Sequence, residues 1–561
     1  MSPHRAARVR IGTARAIAPT TQLLQEDLQL LKILSCLLFT VPAAFSANPF
    51  QPVILPNGVV NAASYLTASF PNYGLARGSL FLVFGSSLGP QSLVSATFPL
   101  PTSDGLAGTR VLLTNGGYSA PCPIVYTSAN QVAALVPSSA PEGDGTIVVV
   151  YQNLASTSVP VRLVHSAFGI FTLNQAGVGP AVLQNFNDQT SMPVNTLLMS
   201  AHPGQTAILW GTGLGPATGD ETAGPIPGAL PFVDNLYVGG KVANVRYAGR
   251  SGCCAGVDQI VFDVPAGVTG CYVPVAVQTS GVMSNMGTIA VSAAGNECDD
   301  PLSFRASDLI TLERSGALRT GQTTLSRTMD FGGSSGQIRL TASFLGYDAP
   351  TLTNALGPLN PSLGSCYLSA SKVNADLSSL PHGTGLDAGA AITANGPTGL
   401  LTAANTSAGS YATLGSPGNL PAGNYQFASD GGTRIGSFQS TLNLVSGLQW
   451  TNANSFSTGV VSIGQPLTVT WTGGDPNGYV VLQITSANNL YNAAIQCNAP
   501  MASGTFTVPL YLMGTVYPGP GSISLTSVSS RSKITATGLD AGGINATETT
   551  QVPVTFQALV F

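Results

Sequence analysis

The chain is predicted to be all-β, built as about four β-sandwiches in tandem behind a cleavable N-terminal signal segment. Three observations predict it. Apolar and polar residues alternate in short runs separated by turn residues. One long segment occurs twice. Charged residues make up only 8% of the 561 residues, against about 25% in an ordinary soluble chain.

The composition favours strands. In place of the missing charge stand 65 Gly and 39 Pro, with abundant Ser, Thr and Asn. Helices need charged and straight-chain residues on their wet face, so this bias suits strands joined by turns. With 44% apolar residues the chain can bury real cores and is not of disordered type. A net charge of −4 with 20 basic residues leaves no electrostatic footprint for nucleic acid.

The alternation is explicit. Ile260, Phe262 and Val264 interleave with Gln259, Val261 and Asp263. Leu467, Val469 and Trp471 interleave with Thr468, Thr470 and Thr472, and Val273, Val275 and Val277 with Pro274, Ala276 and Gln278. Each run is a strand with one buried face. No amphipathic helix of useful length is expected after residue 46.

In chain order, residues 1–46 read as an export signal. Arg5, Arg8, Arg10, Arg15 and Lys32 precede the apolar run Ile33 to Phe45, and Ala44-Phe45-Ser46 offers small residues for cleavage before Ala47. Ile33-Leu34-Ser35-Cys36 only faintly resembles a lipoprotein box. No later apolar stretch has spanning length.

Residues 47–166 and 167–297 are two copies of one unit. Gly78-Ser-Leu-Phe-Leu-Val-Phe-Gly-Ser-Ser-Leu-Gly-Pro90 returns 126 residues later as Gly204-Gln-Thr-Ala-Ile-Leu-Trp-Gly-Thr-Gly-Leu-Gly-Pro216. A period that long is a whole domain. Further along, Gly116-Gly117 matches Gly239-Gly240, and Asn130-Gln131 with Val136-Pro137 matches Asp258-Gln259 with Val264-Pro265. The second copy holds seven more residues between Tyr247 and Asp258 than the first holds between Tyr126 and Asn130, and this insertion carries Cys253-Cys254.

Residues 298–446 and 447–561 are expected to form sandwiches three and four. Gly385-Leu-Asp-Ala-Gly389 recurs as Gly538-Leu-Asp-Ala-Gly542, and Trp450-Thr-Asn with the run from Leu467 looks like a fresh start near 446. A bridge between Cys366 and Cys497 would instead make 302–561 one unit.

Seven cysteines follow the signal segment: Cys122, Cys253, Cys254, Cys271, Cys298, Cys366 and Cys497. In an oxidising compartment most should pair, and the odd number leaves at least one over. Cys253, Cys254, Cys271 and Cys298 are the candidates for two bridges, with their pairing open; Cys366 and Cys497 are candidates for another. Adjacent Cys253-Cys254 lacks the spacing of a zinc knuckle.

Asn61-Ala-Ala-Ser64, Phe84-Gly-Ser-Ser-Leu-Gly89, Asn130-Gln131, Val136-Pro137, Phe168-Gly-Ile-Phe-Thr172, Gly211-Thr-Gly-Leu-Gly-Pro216, Asp258-Gln259 and Val264-Pro265 together resemble the Solibacter-type C-terminal domain family. That family is a group of exported acidobacterial proteins with tandem immunoglobulin-like repeats of IPT/TIG type. The resemblance covers about residues 58–293 and implies immunoglobulin-like sandwiches; it brings no activity and no catalytic residue. In the family this module usually closes the chain, whereas some 265 residues follow it here.

Chemistry is sparse. Gly85-Ser86-Ser87-Leu88-Gly89 fits a nucleophile elbow, which needs a strand, a sharp turn and a helix. The second copy puts Gly213 where Ser87 stands and no helix is expected after either, so a tight turn is the reading. His165, His202 and His382 lie beside no recognisable triad partner. Asp220-Glu221 and Asp299-Asp300 read as solvated turns. Asp387, Asp430, Asp475 and Asp540 raise calcium, but each segment supplies one carboxylate where several must converge, so Asx-turns are expected. Trp210 and Trp471 are expected in cores, which leaves Trp450 as a candidate sugar platform. The terminal Val554-Thr-Phe-Gln-Ala-Leu-Val-Phe561 reads as a last sandwich strand, since the upstream repeats do not supply a membrane barrel.

The expectation is therefore an exported, non-enzymatic protein of the cell surface or extracellular space, acting as a spacer, adhesive or matrix-binding module. Extracellular glycan or envelope proteins are its candidate partners, and no cofactor or metal site is expected. The alternative is a secreted polysaccharide-binding or polysaccharide-cleaving protein with its site in 302–561.

Overall fold

A computed structural model describes residues 51–558 except 69, 71, 334–335, 356–359, 373–380, 446, 458 and 488–490. The expected signal segment and Phe561 lie outside the described residues. The chain is all-β, in stacked, mainly antiparallel sheets with immunoglobulin-like sandwiches.

The two copies fold alike. In the first, the strands Val53–Asn61, Leu80–Ser86, Gln131–Leu135, Ile124–Thr127 and Val94–Ser95 form one sheet, and five strands between 75 and 164, with a short side strand, form the other. In the second, Gly169–Ile170, Thr206–Thr212, Asp258–Asp263, Asn244–Arg250 and Gly228–Ala229 follow the same order, facing a sheet built on Gly270–Thr279. Each sandwich closes on its own apolar core. Phe81, Val83, Val111, Leu113, Val132 and Val149 fill the first; Leu209, Leu236, Ile260, Phe262, Val275 and Val277 fill the second.

The outer faces of sister strands meet each other. Leu82 and Phe84 of the first copy pack in one apolar cluster with Ile208 and Trp210, their equivalents in the second. Trp210 is thus buried between the copies and not in a sandwich core, a correction to the expectation, because its side chain alternates outward from the strand that Leu209 turns inward.

Beyond residue 317 the expected boundary near 446 does not divide the chain. Leu318–Asp330 pairs in parallel with Ala541–Gln557 over eleven register positions. In exchange, Cys366–Lys372, from the expected third sandwich, adds an edge to Tyr491–Pro500 of the expected fourth. One sheet therefore runs through sixteen strands among the described residues, over two apolar cores. The helix Ala306–Ser315 corrects the expectation of none: Leu309 and Leu312 bury its inner side, and Gly316 ends it at φ 72°.

The three parts close on one another. Ala276, Met283 and Met286 of the second copy join the core around Tyr367 and Leu368. Phe70 of the first copy packs on Tyr491 and Tyr517, with ring centroids 4.3 Å and 6.2 Å away. Asn72 donates to Met283 O at 2.9 Å.

Candidate functional site

The glycine-rich bend is the most enzyme-like segment of the sequence, and both copies turn it through a residue of positive φ. Ser87 has φ 54° and Gly213 has φ 108°, both in the left-handed region. Leu88 and Leu214, which follow them, are fully buried. In the first copy Leu88 N donates to Ala129 O at 2.9 Å. In the second, Gly213 N and Leu214 N donate to Asp258 Oδ2 at 2.7 Å and 2.8 Å. After Ser86 the chain runs to the short strand Val94–Ser95 and not into a helix. A nucleophile elbow lacks its helix here.

Asp258 anchors a buried ionic cluster that sequence reasoning missed. Arg250, fully buried, hydrogen-bonds Asp258, lies 2.7 Å from Glu221 Oε1 and donates to Gly215 O at 3.0 Å. Ser138 of the first copy donates to Glu221 Oε2 at 2.9 Å, so the cluster spans the joint between the copies. Gly78 lies so close that a side chain there would collide with the guanidinium, whereas the equivalent Gly204 is open. Burial pushes the Asp258 carboxyl up to about 6, opposed by Arg250 and the two amide donors. Glu221 thus corrects the reading of a solvated turn; its neighbour Asp220 is exposed and caps Thr222. The sequence signal was Asp258 in the place of Asn130, with Arg250 at the mouth of the insertion.

The other polar candidates resolve separately. His165 Nδ1 lies 3.2 Å from Glu142 and 2.8 Å from Arg77, so a cation and not a nucleophile completes that group. His202 Nδ1 lies 3.0 Å from Ser292 O. Asp299 pairs with Arg305 on the surface, but Asp300 is buried and accepts from Leu302 N, Cys271 N and Ser362 Oγ, a second correction. Asp387 accepts from Gly389 N and Asp475 from Asn477 N, as Asx-turns do, and each also holds a distant amide, Thr433 N and Ser530 N. Asp540 instead grips Arg319 with both oxygens, at 2.8 Å and 3.0 Å. Among the described residues no three metal-ligating side chains converge.

Trp450 is no platform. It is buried against Phe456, with Nε1 donating to Asn452 Oδ1 at 3.0 Å. Trp471 lies in the same core. Asp475 and Glu548 line one cavity with Gly474 and Ser529, but its space of about 20 Å³ is the room of one water. Burial raises the Glu548 carboxyl, and Arg327 at 3.4 Å opposes that.

Two disulfides form among the described residues, Cys271–Cys298 and Cys366–Cys497. The quartet therefore yields one bridge to Cys271. Cys253 and Cys254 lie in the loop between the strands Asn244–Arg250 and Asp258–Asp263, away from the Gly270–Thr279 strand that carries Cys271, and pack half-buried between the copies, with Cys253 Sγ 3.3 Å from Ser251 Oγ. Cys122 is a buried free thiol in the first core, and burial raises it well above the usual thiol range. No described helix is long and apolar enough to cross a membrane.

No family model and no curated protein matches the chain. Among solved structures, a tetra-tandem repeat from the extending region of a large adhesion protein is 13% identical over 88% of this chain and 98% of its own, with a TM-score of 0.12. SGBP-B of the Bacteroides ovatus mixed-linkage glucan utilization locus, in complex with a mixed-linkage heptasaccharide, is 12% identical over 84% of this chain and 95% of its own, with a TM-score of 0.13. The BSP domain of a biofilm associated protein is 10% identical over 92% and 98%, with a TM-score of 0.12. Likeness at this level says nothing about what this chain binds.

Proposed function

We propose that the chain is an exported, non-enzymatic protein that acts outside the cell as an adhesive or matrix-binding module, and that residues 58–293 belong to the Solibacter-type family. The mutual closure of the three parts carries the reading. A spacer gains reach from domains strung end to end, yet here the first copy touches the last part directly through Phe70 and Tyr491. What such a body offers a partner is the outer faces of its sheets. With 8% charge these faces are rich in hydroxyl and amide groups, which bind through shape and hydrogen bonds. The two disulfides support an oxidising compartment.

The test is direct. The purified chain is applied to a glycan array and to envelope material, and reducing-sugar release is followed in parallel. Binding without release is the expected result; release that disappears in Glu548→Gln would instead favour a polysaccharide-cleaving protein. N-terminal sequencing of the secreted chain should begin at Ala47.

A further inference from the structure

We propose that residues 216–227 of the second copy form a pH-gated strap across the joint with the first, held down in mild acid by a proton on the carboxylates buried beneath it and loosened as the pH rises to neutrality. The device stands apart from the adhesive reading and does not depend on what the chain binds.

The segment is built to lift. It runs without strand or helix between the strands Thr206–Thr212 and Gly228–Ala229. Thr218, Gly219, Asp220 and Ala223 are exposed, and Glu221 is the residue it buries, at 8% exposure. Hydrogen bonds tie it to the first copy. Leu100 N donates to Thr222 O at 2.7 Å, Ala217 N to Ser138 Oγ at 3.1 Å, and Ser138 Oγ to Glu221 Oε2 at 2.9 Å.

Charge sets the direction. Under the strap one cation meets two carboxylates: Arg250 pairs with Asp258 and lies 2.7 Å from Glu221, and all three are buried. The further donors, Gly213 N, Leu214 N and Ser138 Oγ, bring no charge. Tyr247, on the strand of Arg250, has its hydroxyl raised by burial and by Asp258, so it adds none either. On the side of the first copy Arg77 is taken by Glu142 at 3.1 Å, with His165 Nδ1 3.2 Å from the same carboxylate, and these side chains are partly exposed. Asp220 is exposed and turned to Thr222. With both carboxylates ionised the joint therefore holds a surplus negative charge away from water, and one proton removes it.

The seat of that proton is Asp258, whose carboxyl burial pushes up to about 6. When the strap lifts, Glu221 returns to water, Asp258 keeps Arg250 to itself, and the carboxyls fall back toward their ordinary range near 4. The closed strap thus binds more protons than the lifted one between about pH 4 and 6, so closure is favoured in acid and weakens as the pH rises through that window.

The experiment is hydrogen exchange of the full chain between about pH 4.5 and 7.5, corrected for the intrinsic pH dependence of exchange. The amides of Leu100 and Ala217 report the strap; that of Val149, which donates to Ser156 Oγ inside the first sandwich, reports the surrounding fold. The expected result is protection at the two strap amides that falls about tenfold from pH 4.5 to 6.5, with Val149 unchanged. Asp258→Asn and Glu221→Gln each remove one carboxylate and should keep the strap protected across the range. Asparagine already holds the equivalent place, Asn130, in the first copy; if Asp258→Asn still fails to fold, Glu221→Gln on the exposed loop gives the same reading. Wild-type protection that does not change with pH, or a slope that persists in Glu221→Gln, overturns the proposal. Loss of protection at Val149 in step with the strap also overturns it, since the pH would then act on the whole fold.

Discussion

Ser87 and Gly213 hold the same place in two copies of one fold, and both adopt the left-handed backbone, at φ 54° and 108°. The serine that sequence pattern singles out therefore stands where the turn prefers glycine. An L-residue in that region costs roughly 1–2 kcal/mol, a cost the glycine of the second copy avoids.

Replacing Ser87 by Gly should accordingly leave stability unchanged or raise it by about 1 kcal/mol. Ser87→Val should lower it by about 1–2 kcal/mol, because a β-branched residue resists this conformation more. Thermal unfolding of the two variants measures both. Marked loss of stability in Ser87→Gly would show that the hydroxyl and not the bend is what the position needs.

Arg250 pairs with two buried carboxylates, those of Asp258 and Glu221. Arg250→Ala should cost about 3–5 kcal/mol, since it strands both in a dry joint. Combining Arg250→Met with Asp258→Asn and Glu221→Gln should recover most of that loss, because the charges leave together. Denaturant titration of the single and triple variants provides the comparison.

The last part should weaken in acid. Arg319 holds the Asp540 carboxyl below its usual range, and against its burial the Ser530 hydroxyl, with the amides of Ser530 and Asn477, holds Asp475 down as well. A lowered carboxyl contributes stability above its unfolded value near 4 and loses it as pH falls through the lower folded value. Asp540→Asn should therefore flatten the fall in melting temperature below about pH 4. An unchanged acid limb in that variant would contradict the assignment.

Cys366 and Cys497 join the exchanged edge strand to its host across a separation of 131 residues. Removing the bridge with Cys366→Ala/Cys497→Ala should cost about 2–5 kcal/mol. It should also loosen the second copy, because Tyr367 beside the bridge donates to Met286 O at 3.0 Å and accepts from Gly179 N at 3.1 Å. Hydrogen exchange at Gly179 reads that coupling.

The legible features were those set by short-range pattern. Alternation at Ile260, Phe262 and Val264 marked a strand, and the repeated bend at Ser87 and Gly213 marked a turn because the two copies could be compared. What was missed depends on distant partners. Nothing local shows that the strand from Leu318 will pair with one beginning at Ala541, or that Cys366 belongs to an edge strand of the last part. Trp450 could be a platform or a core residue on sequence alone; only the arrival of Phe456 and Trp471 decides it. Arg250 drew no reading from the sequence, because one of its two carboxylates, Glu221, is 29 residues away.

Small-angle scattering from the purified chain tests most directly whether its parts close on one another. A closed body of some 500 residues should have a radius of gyration of about 24 Å. Four sandwiches strung end to end would give a value above about 40 Å, and that result would contradict the account.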